Sequence, residues 1–227
     1  EDIIIEAKKL KQDGIEEIII IAQDTTKYGV DLYGKSRLPE LLKEIAGLGF
    51  TWVRFLYAYP ESITDELIDV VKNTDNICNY FDIPIQHYSN QVLKRMNRKS
   101  TSEQIDSLLE KIRKNIPDVI LRTSLIVGFP GETEDDFFEL YEFVNRAKFE
   151  KLGVFKYSKE DGTHASRLKD QIHYKTKEKR LNQIMTLEQK IARIKLEEKI
   201  GNSYKDQNKS LDFRRKTQKS RGSQICS

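Results

Sequence analysis

Two kinds of apolar pattern alternate along this chain, and their alternation is the strongest constraint on its fold. Short β-rich runs at 18–22, 53–57, 80–85, 119–127 and 152–157 recur roughly every thirty residues, with helical stripes between them. The first run is apolar without alternation, as expected of a strand covered on both faces. Repeated strand–helix units predict an α/β fold with a parallel sheet and outer helices. Either an open doubly wound sheet or a (β/α) barrel fits this pattern.

The two ends of the chain depart from this repeat. The first pattern is helical, whereas a parallel unit should begin with a strand, so we expect at least one strand before Glu1. We therefore predict an α/β unit over residues 1–173 that is incomplete at its N-terminus, followed by a long amphipathic helix over 174–200. Periodicity is lost after Gly201, and we predict a disordered basic tail over 201–227.

Charge and cysteine content exclude several classes of protein. The net charge is +3, and the tail with its seven Lys/Arg and two Asp accounts for +5, which leaves the body about −2. The body therefore lacks the basic signature of a nucleic-acid-binding domain. No apolar stretch approaches the ~18 residues of a membrane span. Two cysteines, Cys78 and Cys226, cannot by themselves form a disulfide framework or an iron–sulfur site, and we expect a reducing, cytoplasmic setting.

Polar segments follow the first and third predicted strands. Gln23, Asp24 and Thr25 are able to hold a polar ligand, or they belong to an ordinary loop in which they satisfy turn amides. Gln86 and Ser89 suit the hydroxyls of a sugar such as ribose. The histidine between them is more often a hydrogen-bonded structural residue than a general base, because no carboxylate partner is near in sequence.

The fourth and fifth predicted strands also end in chemically informative segments. Arg122 either pairs with a carboxylate or is a surface charge. Gly128 and Gly131 let a ligand approach the backbone before a helix N-terminus, although the Lys-Ser/Thr ending of a Walker loop is absent. Phe155 and Tyr157 line a planar ring or belong to the core.

Taken together, four segments resemble the RimO family of radical S-adenosylmethionine (SAM) methylthiotransferases. They are residues 22–34, the Gln-His-Tyr-Ser run at 86–89 with 92–98, the segment 122–132 that ends in Gly-Phe-Pro-Gly-Glu, and 153–158 with the residues just after it. The likeness extends in continuous order over about residues 1–200. The related MiaB family shares the Gly-Phe-Pro-Gly-Glu segment, but Asp-Thr-Thr at 24–26 is not expected there.

The resemblance implies a partial (β/α) barrel and an enzyme that adds a methylthio group to the β-carbon of an aspartate in a small-subunit ribosomal protein. It also implies SAM, 4Fe–4S clusters and an electron donor. The CxxxCxxC motif that would hold a cluster is absent from this sequence. We therefore interpret the chain as the middle of such an enzyme, without metal ligands and inactive alone. No membrane is expected, and no nucleic acid except as part of the ribosome.

The resemblance also assigns residues to the cofactor. The expected contacts with SAM are Gln23, Asp24, Thr25, Gln86, Ser89, Arg122, Gly128, Gly131, Phe155 and Tyr157. Those after the first strand would hold the methionine amino end, those after the third would lie near the ribose, and Arg122 would face the methionine carboxylate. The glycines and the backbone at 155–157 would lie beside the adenine. Glu132 is expected to cap the following helix, and no catalytic residue is assigned.

Three alternatives remain open from the sequence. The first is methylthiolation of an adenosine in transfer RNA, as in the MiaB family. The second is a module without a cluster that binds a nucleotide or a protein through the same strand ends. The third is a non-functional gene fragment, which the loss of pattern after Gly201 also fits.

Overall fold

A computed structural model describes residues 2–201, 203–204 and 211–212 of the chain. Five strands run parallel to one another in sequence order and alternate with helices that cover one face of the sheet. The strands are β1 (Glu17–Ile20), β2 (Trp52–Phe55), β3 (Tyr80–Asp82), β4 (Ile120–Val127) and β5 (Lys151–Lys156). The helices are α1 (Asp2–Gln12), α2 (Val30–Tyr33), α3 (Leu38–Ala46), α4 (Asp65–Asn73), α5 (Asn90–Arg95), α6 (Ser102–Asn115), α7 (Glu134–Ala147) and α8 (Tyr174–Glu198).

The strands pair in two groups that an isolated bridge connects. β1 pairs with β2, and β4 lies between β3 and β5. A parallel bridge between Val53 and Ile77 joins the groups, and Ala58 donates its N–H to Asp82 O at 2.9 Å further along. The order 1-2-3-4-5 with all strands parallel is that of a barrel opened along one side. The predicted partial (β/α) barrel is therefore confirmed.

The two faces of the sheet differ sharply in burial. Along β4 the residues alternate between half-buried and buried, so that Leu121 and Leu125 point to the helices and Arg122 points to the open, concave face. Ile19 of β1 is in register with Arg54 of β2, which places both residues on that same concave face. Ile19 is 43% exposed there. The expectation that the first strand is covered on both faces is therefore wrong for the described chain: helices cover only one side.

Helix starts follow simple capping chemistry. Thr64 caps α4, and Thr133 caps α7. Thr101, rather than the first helical residue Ser102, caps α6. Thr101 has the extended backbone that a cap needs, and it forms a reciprocal capping box with Gln104, whose side chain accepts the Thr101 N–H at 3.0 Å.

The predicted long helix is confirmed as α8, which packs against β5 and α7. None of the helices in the described part of the chain is long and apolar enough to cross a membrane. Most of the predicted tail lies outside the described residues. Within it, Ser203–Tyr204 and Leu211–Asp212 pair as antiparallel strands β6 and β7.

Glu188 makes α8 sensitive to pH. It is 8% exposed, and its Oε2 atom has no hydrogen-bond partner among the described residues. Burial raises the pKa of this carboxyl to about 7, with Glu150 adding to the rise and Lys151 and Lys195 opposing it. Since the unfolded chain releases this proton near pH 4.5, stability is lost as pH rises from there towards 7.

Replacing Glu188 with Gln should therefore stabilise the chain at pH 8 and change little at pH 4.5. The expected gain at pH 8 is about 1–3 kcal/mol in the free energy of unfolding, measured by urea denaturation at both pH values. Glu197→Gln, at the exposed end of the same helix, is the matched control and should have little effect at either pH. Equal stability of Glu188→Gln and wild type at pH 8 would contradict this prediction.

Candidate functional site

The loop after β1 is fastened to the end of β2 by Thr25. The buried Thr25 hydroxyl donates to Leu56 O at 2.7 Å, and the Thr25 N–H donates to Tyr57 O at 3.2 Å. Asp24 accepts the Thr26 N–H at 3.2 Å through Oδ1, while its Oδ2 lies 3.2 Å from Lys27 Nζ. Gln23 is exposed at the edge of the sheet. The hydroxyl and N–H of Thr25 thus form hydrogen bonds within the protein, and Gln23 and Asp24 lie in the loop at the strand ends.

Arg122 pairs with a carboxylate inside the protein. Its Nη1 lies 3.0 Å from Oδ1 of Asp82, a residue that is 2% exposed. The other carboxylate oxygen accepts the Tyr57 N–H at 3.1 Å, and Tyr57 has a left-handed backbone with φ of 59°. Together with Thr25 these contacts connect the ends of β1, β2 and β3 to the middle of β4.

Gln86 continues the pairing of β3 with β4 beyond the strand itself. Its N–H donates to Ser124 O at 2.9 Å, and its carbonyl accepts the Ile126 N–H at 2.7 Å. The backbone then turns through a positive φ of 73°, and the side-chain amide lies 3.5 Å from the Ser124 hydroxyl. The Gln86 side chain is half-buried beside Ile126, at the carboxyl edge of the sheet.

Ser89 and His87 are buried behind this edge, and their side chains form hydrogen bonds within the protein. The Ser89 hydroxyl donates to Asp136 Oδ1, on the first turn of α7. Burial opposes the charge of Asp136, but hydrogen bonds from Ser89 and Thr133 outweigh it and hold the pKa of Asp136 below its usual value. His87 is fully buried, and its Nδ1 accepts the Ser89 N–H at 3.1 Å. The Ser89 hydroxyl, which was expected to lie near a ribose, therefore donates to Asp136 instead.

The segment 128–132 forms a tight loop between β4 and α7. Gly128 has a φ of +73° and donates its N–H to Glu132 Oε2 at 2.6 Å, and the Phe129 N–H donates to the same atom at 3.1 Å. A Cβ on Gly128 would lie 2.3 Å from Lys177 Cγ. Gly128 is thus required both by its backbone conformation and by close packing with the protein.

Gly131, at the other end of the loop, is favoured by its backbone conformation, since its near neighbour is the flexible end of the 42% exposed Arg95 side chain. Its φ is +79°, and a Cβ there would lie 1.3 Å from Arg95 Nη1. Glu132 does not cap α7 as expected, because Thr133 occupies the cap position and the Glu132 carboxylate points back to the loop amides. The charge of Glu132 is instead met by Arg180, whose Nη1 lies 2.8 Å from Oε1.

Phe155, within β5, and Tyr157, directly after this strand, differ in environment. Phe155 is 59% exposed on the concave face. Tyr157 packs its ring edge-on against Phe129 with centroids 5.2 Å apart, and its N–H donates to Val127 O at 2.9 Å. The Tyr157 carbonyl is also engaged, since it accepts from Lys177 Nζ at 2.9 Å, and the Tyr157 hydroxyl is buried without a hydrogen-bond partner among the described residues.

A cleft of about 680 Å³ opens at the carboxyl edge of β3 and β4, within the size range of small-molecule sites. It is lined by Gln86, Lys94, Arg95, Met96, Asn97, Arg98, Ile126, Phe129, His164, Ala165 and Leu168. A larger groove of about 880 Å³ lies at the opposite edge, where the strands begin. We assign the site to the carboxyl edge, because ligands of parallel α/β folds bind where the strands end.

Sequence reasoning missed the apolar part of this cleft. Ile126 could have been found, because it shares the concave face of β4 with Arg122 and Ser124 at a period of two. Phe129 lies within the Gly-Phe-Pro-Gly-Glu segment, but nothing in the sequence was a reason to assign it a contact with a ligand. Arg180 gave no local signal, since it lies 48 residues from Glu132 in sequence. Among the described residues, no group of His, Cys, Asp and Glu is placed to hold a metal ion.

Comparisons with known proteins agree with the fold. Residues 1–144 match the model of the radical SAM superfamily, and the chain belongs to that superfamily. Coproporphyrinogen III oxidase HemN of Escherichia coli, a radical SAM enzyme, superposes with a TM-score of 0.62 at 18% identity over 92% of this chain and 54% of HemN. At that identity the likeness concerns the fold alone.

Closer relatives bear the name that the sequence motifs predict. The chain is 65% identical over 206 residues to the ribosomal protein uS12 methylthiotransferase RimO of Alkaliphilus oremlandii (strain OhILAs), covering 90% of this chain and 47% of the relative. It is 58% identical to the RimO protein of Clostridioides difficile (strain 630), covering 90% and 46%. The predicted resemblance is confirmed, and the chain spans about half the length of the curated relatives it matches.

Replacing Arg122 with Met should destabilise the chain by about 1–3 kcal/mol, because it leaves the buried Asp82 carboxylate without its cation while keeping an apolar stem. Urea denaturation at pH 7 measures the change in free energy of unfolding. Arg193→Met is the control, since the Arg193–Glu197 pair is 81% and 55% exposed and should contribute less than 1 kcal/mol. Equal effects of the two substitutions would show that Asp82 does not depend on Arg122.

Proposed function

We propose that this chain is the SAM-binding core of a radical SAM methylthiotransferase that modifies the β-carbon of an aspartate in ribosomal protein uS12. The observation that carries the proposal is the 65% identity, maintained over 206 residues, to a relative of that name. The predicted site segments support it, since those after β1, β3 and β4 all lie at the carboxyl edge of one parallel sheet. The substrate would come from the ribosome, and the enzyme would work in the cytoplasm with an electron donor.

The residues at this edge fit SAM. The cleft beside Gln86 holds about 680 Å³ and offers Ile126 and Phe129 as apolar walls for an adenine ring. At the end of β1, Asp24 carries a carboxylate that is 7% exposed on its side chain and is neutralised by Lys27, whose side chain is 62% exposed. An ammonium group such as that of a methionine could take the place of Lys27 there.

When bound with a reduced 4Fe–4S cluster, SAM supplies the means of removing a hydrogen atom from an unactivated carbon. The residues of this chain have simpler tasks. Gln86 would donate or accept a hydrogen bond to the ribose, and Asp24 with Gln23 would hold the amino end. Phe129 and Tyr157 would exclude water from the adenine side. The remaining expected contacts, Thr25, Ser89, Arg122, Gly128, Gly131 and the exposed Phe155, would support or line this site.

The substrate can be tested directly with the full-length protein that contains this chain. After cluster reconstitution, incubation with SAM, a reductant and either a uS12 loop peptide or transfer RNA should add one methylthio group to the peptide aspartate only. Mass spectrometry of both substrates measures the outcome. The same peptide with Asn in place of the target Asp is the control. Modification of an adenosine in transfer RNA instead would favour the MiaB-like alternative and overturn the uS12 assignment.

The cluster requirement can be tested with the chain as it stands. It has two cysteines, and the described residues include no metal-binding group, so anaerobic treatment with iron and sulfide should yield no stoichiometric 4Fe–4S cluster. Visible absorbance of thiolate–iron bonds and iron content per chain measure this, with the full-length protein as the positive control. Four irons bound per chain would show that these residues hold a cluster by themselves.

A further inference from the structure

The loop at 128–132 is irregular in backbone conformation, yet buried polar contacts hold it. It has two residues with left-handed backbone and no ladder hydrogen bonds of its own. Its shape depends on one buried carboxylate, Glu132, which accepts the amides of Gly128 and Phe129 and is fully buried at its side chain. Such a carboxylate is stable in the interior only if a cation and further donors meet it.

Arg180 of α8 supplies that cation. Its guanidinium is 4% exposed, and its Nη1 donates to Glu132 Oε1 at 2.8 Å and to the Glu132 carbonyl at 3.1 Å. Its Nη2 donates to Glu134 Oε1 at 2.8 Å, and its plane lies 5.4 Å from the Phe137 ring centroid. The fork of donors therefore fixes both the end of the loop and the start of α7.

Lys177 holds the opposite end of the same loop. It lies three residues before Arg180, so both side chains project from the same face of α8. Its aliphatic stem packs directly on Gly128, and its Nζ donates to Tyr157 O at 2.9 Å. Burial lowers the pKa of Lys177. One turn of α8 thus contacts the loop after β4 and the end of β5 together.

We propose that this first part of α8 is a clasp, in which Lys177 and Arg180 are positioning residues that set the shape of the loop for SAM. The inference rests on the proposed function for its ligand. Neither residue lines the cleft, so neither needs to touch the cofactor. Loss of the clasp should let the loop amides leave Glu132, tilt Phe129 out of the cleft wall and weaken SAM binding while the sheet stays folded.

The shape of the loop can be observed through its glycine amides. The chain has 11 glycines, so a sample labelled with ¹⁵N-glycine gives a simple amide spectrum in which Gly128 and Gly131 report on the loop. In Arg180→Gln the Gly128 signal should move by more than any glycine remote from the loop and should lose its protection from hydrogen exchange. Gly47, after α3, should be unchanged and serves as the internal control.

SAM binding is measured by equilibrium dialysis with the same substitutions in the reconstituted full-length protein, which holds the cluster. Relative to wild type, Arg180→Gln should lose at least about tenfold in affinity. Arg180→Lys keeps the charge without the fork and should restore part of the loss. Lys177→Met keeps the stem on Gly128 without its hydrogen bond and should cause a smaller loss, whereas Arg193→Gln on the same helix should match wild type.

The outcomes separate the clasp from the site itself. An unchanged Gly128 signal with unchanged SAM affinity in Arg180→Gln would overturn the clasp and leave the SAM site standing. If the reconstituted wild-type protein binds no SAM, the proposed function fails, while the Gly128 signal of Arg180→Gln still tests the clasp. Should Arg180→Gln not fold, Arg180→Lys and Lys177→Met decide the matter, and wild-type affinity in both would overturn the proposal.

Discussion

The buried carboxylate of Glu132 is the interaction on which the candidate site depends. It is fully enclosed, and it joins three parts of the chain that are far apart in sequence: the end of β4, the first part of α8 and, through a 3.6 Å approach to His87 Nε2, the segment after β3. A buried ion pair costs desolvation energy that an apolar pair would not. What this pair provides in return is a single defined shape for an irregular loop.

One-sided coverage of the sheet is the second constraint. The helices bury alternate residues of β2 and β4, and the concave face carries Arg54, Asp82 and Arg122 next to exposed Ile19 and Phe155. Charged side chains in the middle of a sheet would be costly if both faces were packed. In a partial barrel the same positions are open, so ion pairs along β2, β3 and β4 remain partly solvated. The concave face can therefore carry polar groups without destabilising the core.

The sequence predicted the fold well because strand runs and helical stripes are local signals. It also predicted that the loops after β1, β3 and β4 lie at one edge of the sheet, since parallel strands bring their carboxyl ends together. It could not predict what each polar side chain contacts. Thr25, Ser89 and Arg122 were assigned to a ligand, yet their polar groups meet Leu56, Asp136 and Asp82. Loops at strand ends contain many backbone and side-chain polar groups that the strands leave unpaired. Residues nearby in space form hydrogen bonds with these groups, so fewer are left for a ligand.

The glycines of the loop at 128–132 also show what the sequence can and cannot predict. Their positive φ follows from sequence, because glycine is the residue that adopts it at little cost. What occupies the space of the missing side chains does not follow from sequence. The atoms there belong to Lys177 and Arg95 rather than to a ligand. A loop packed in this way from behind loses little further entropy when a cofactor binds at its front. Preorganisation of this kind arises from contacts distant in sequence, which is why α8, outside the barrel itself, belongs in any account of the site.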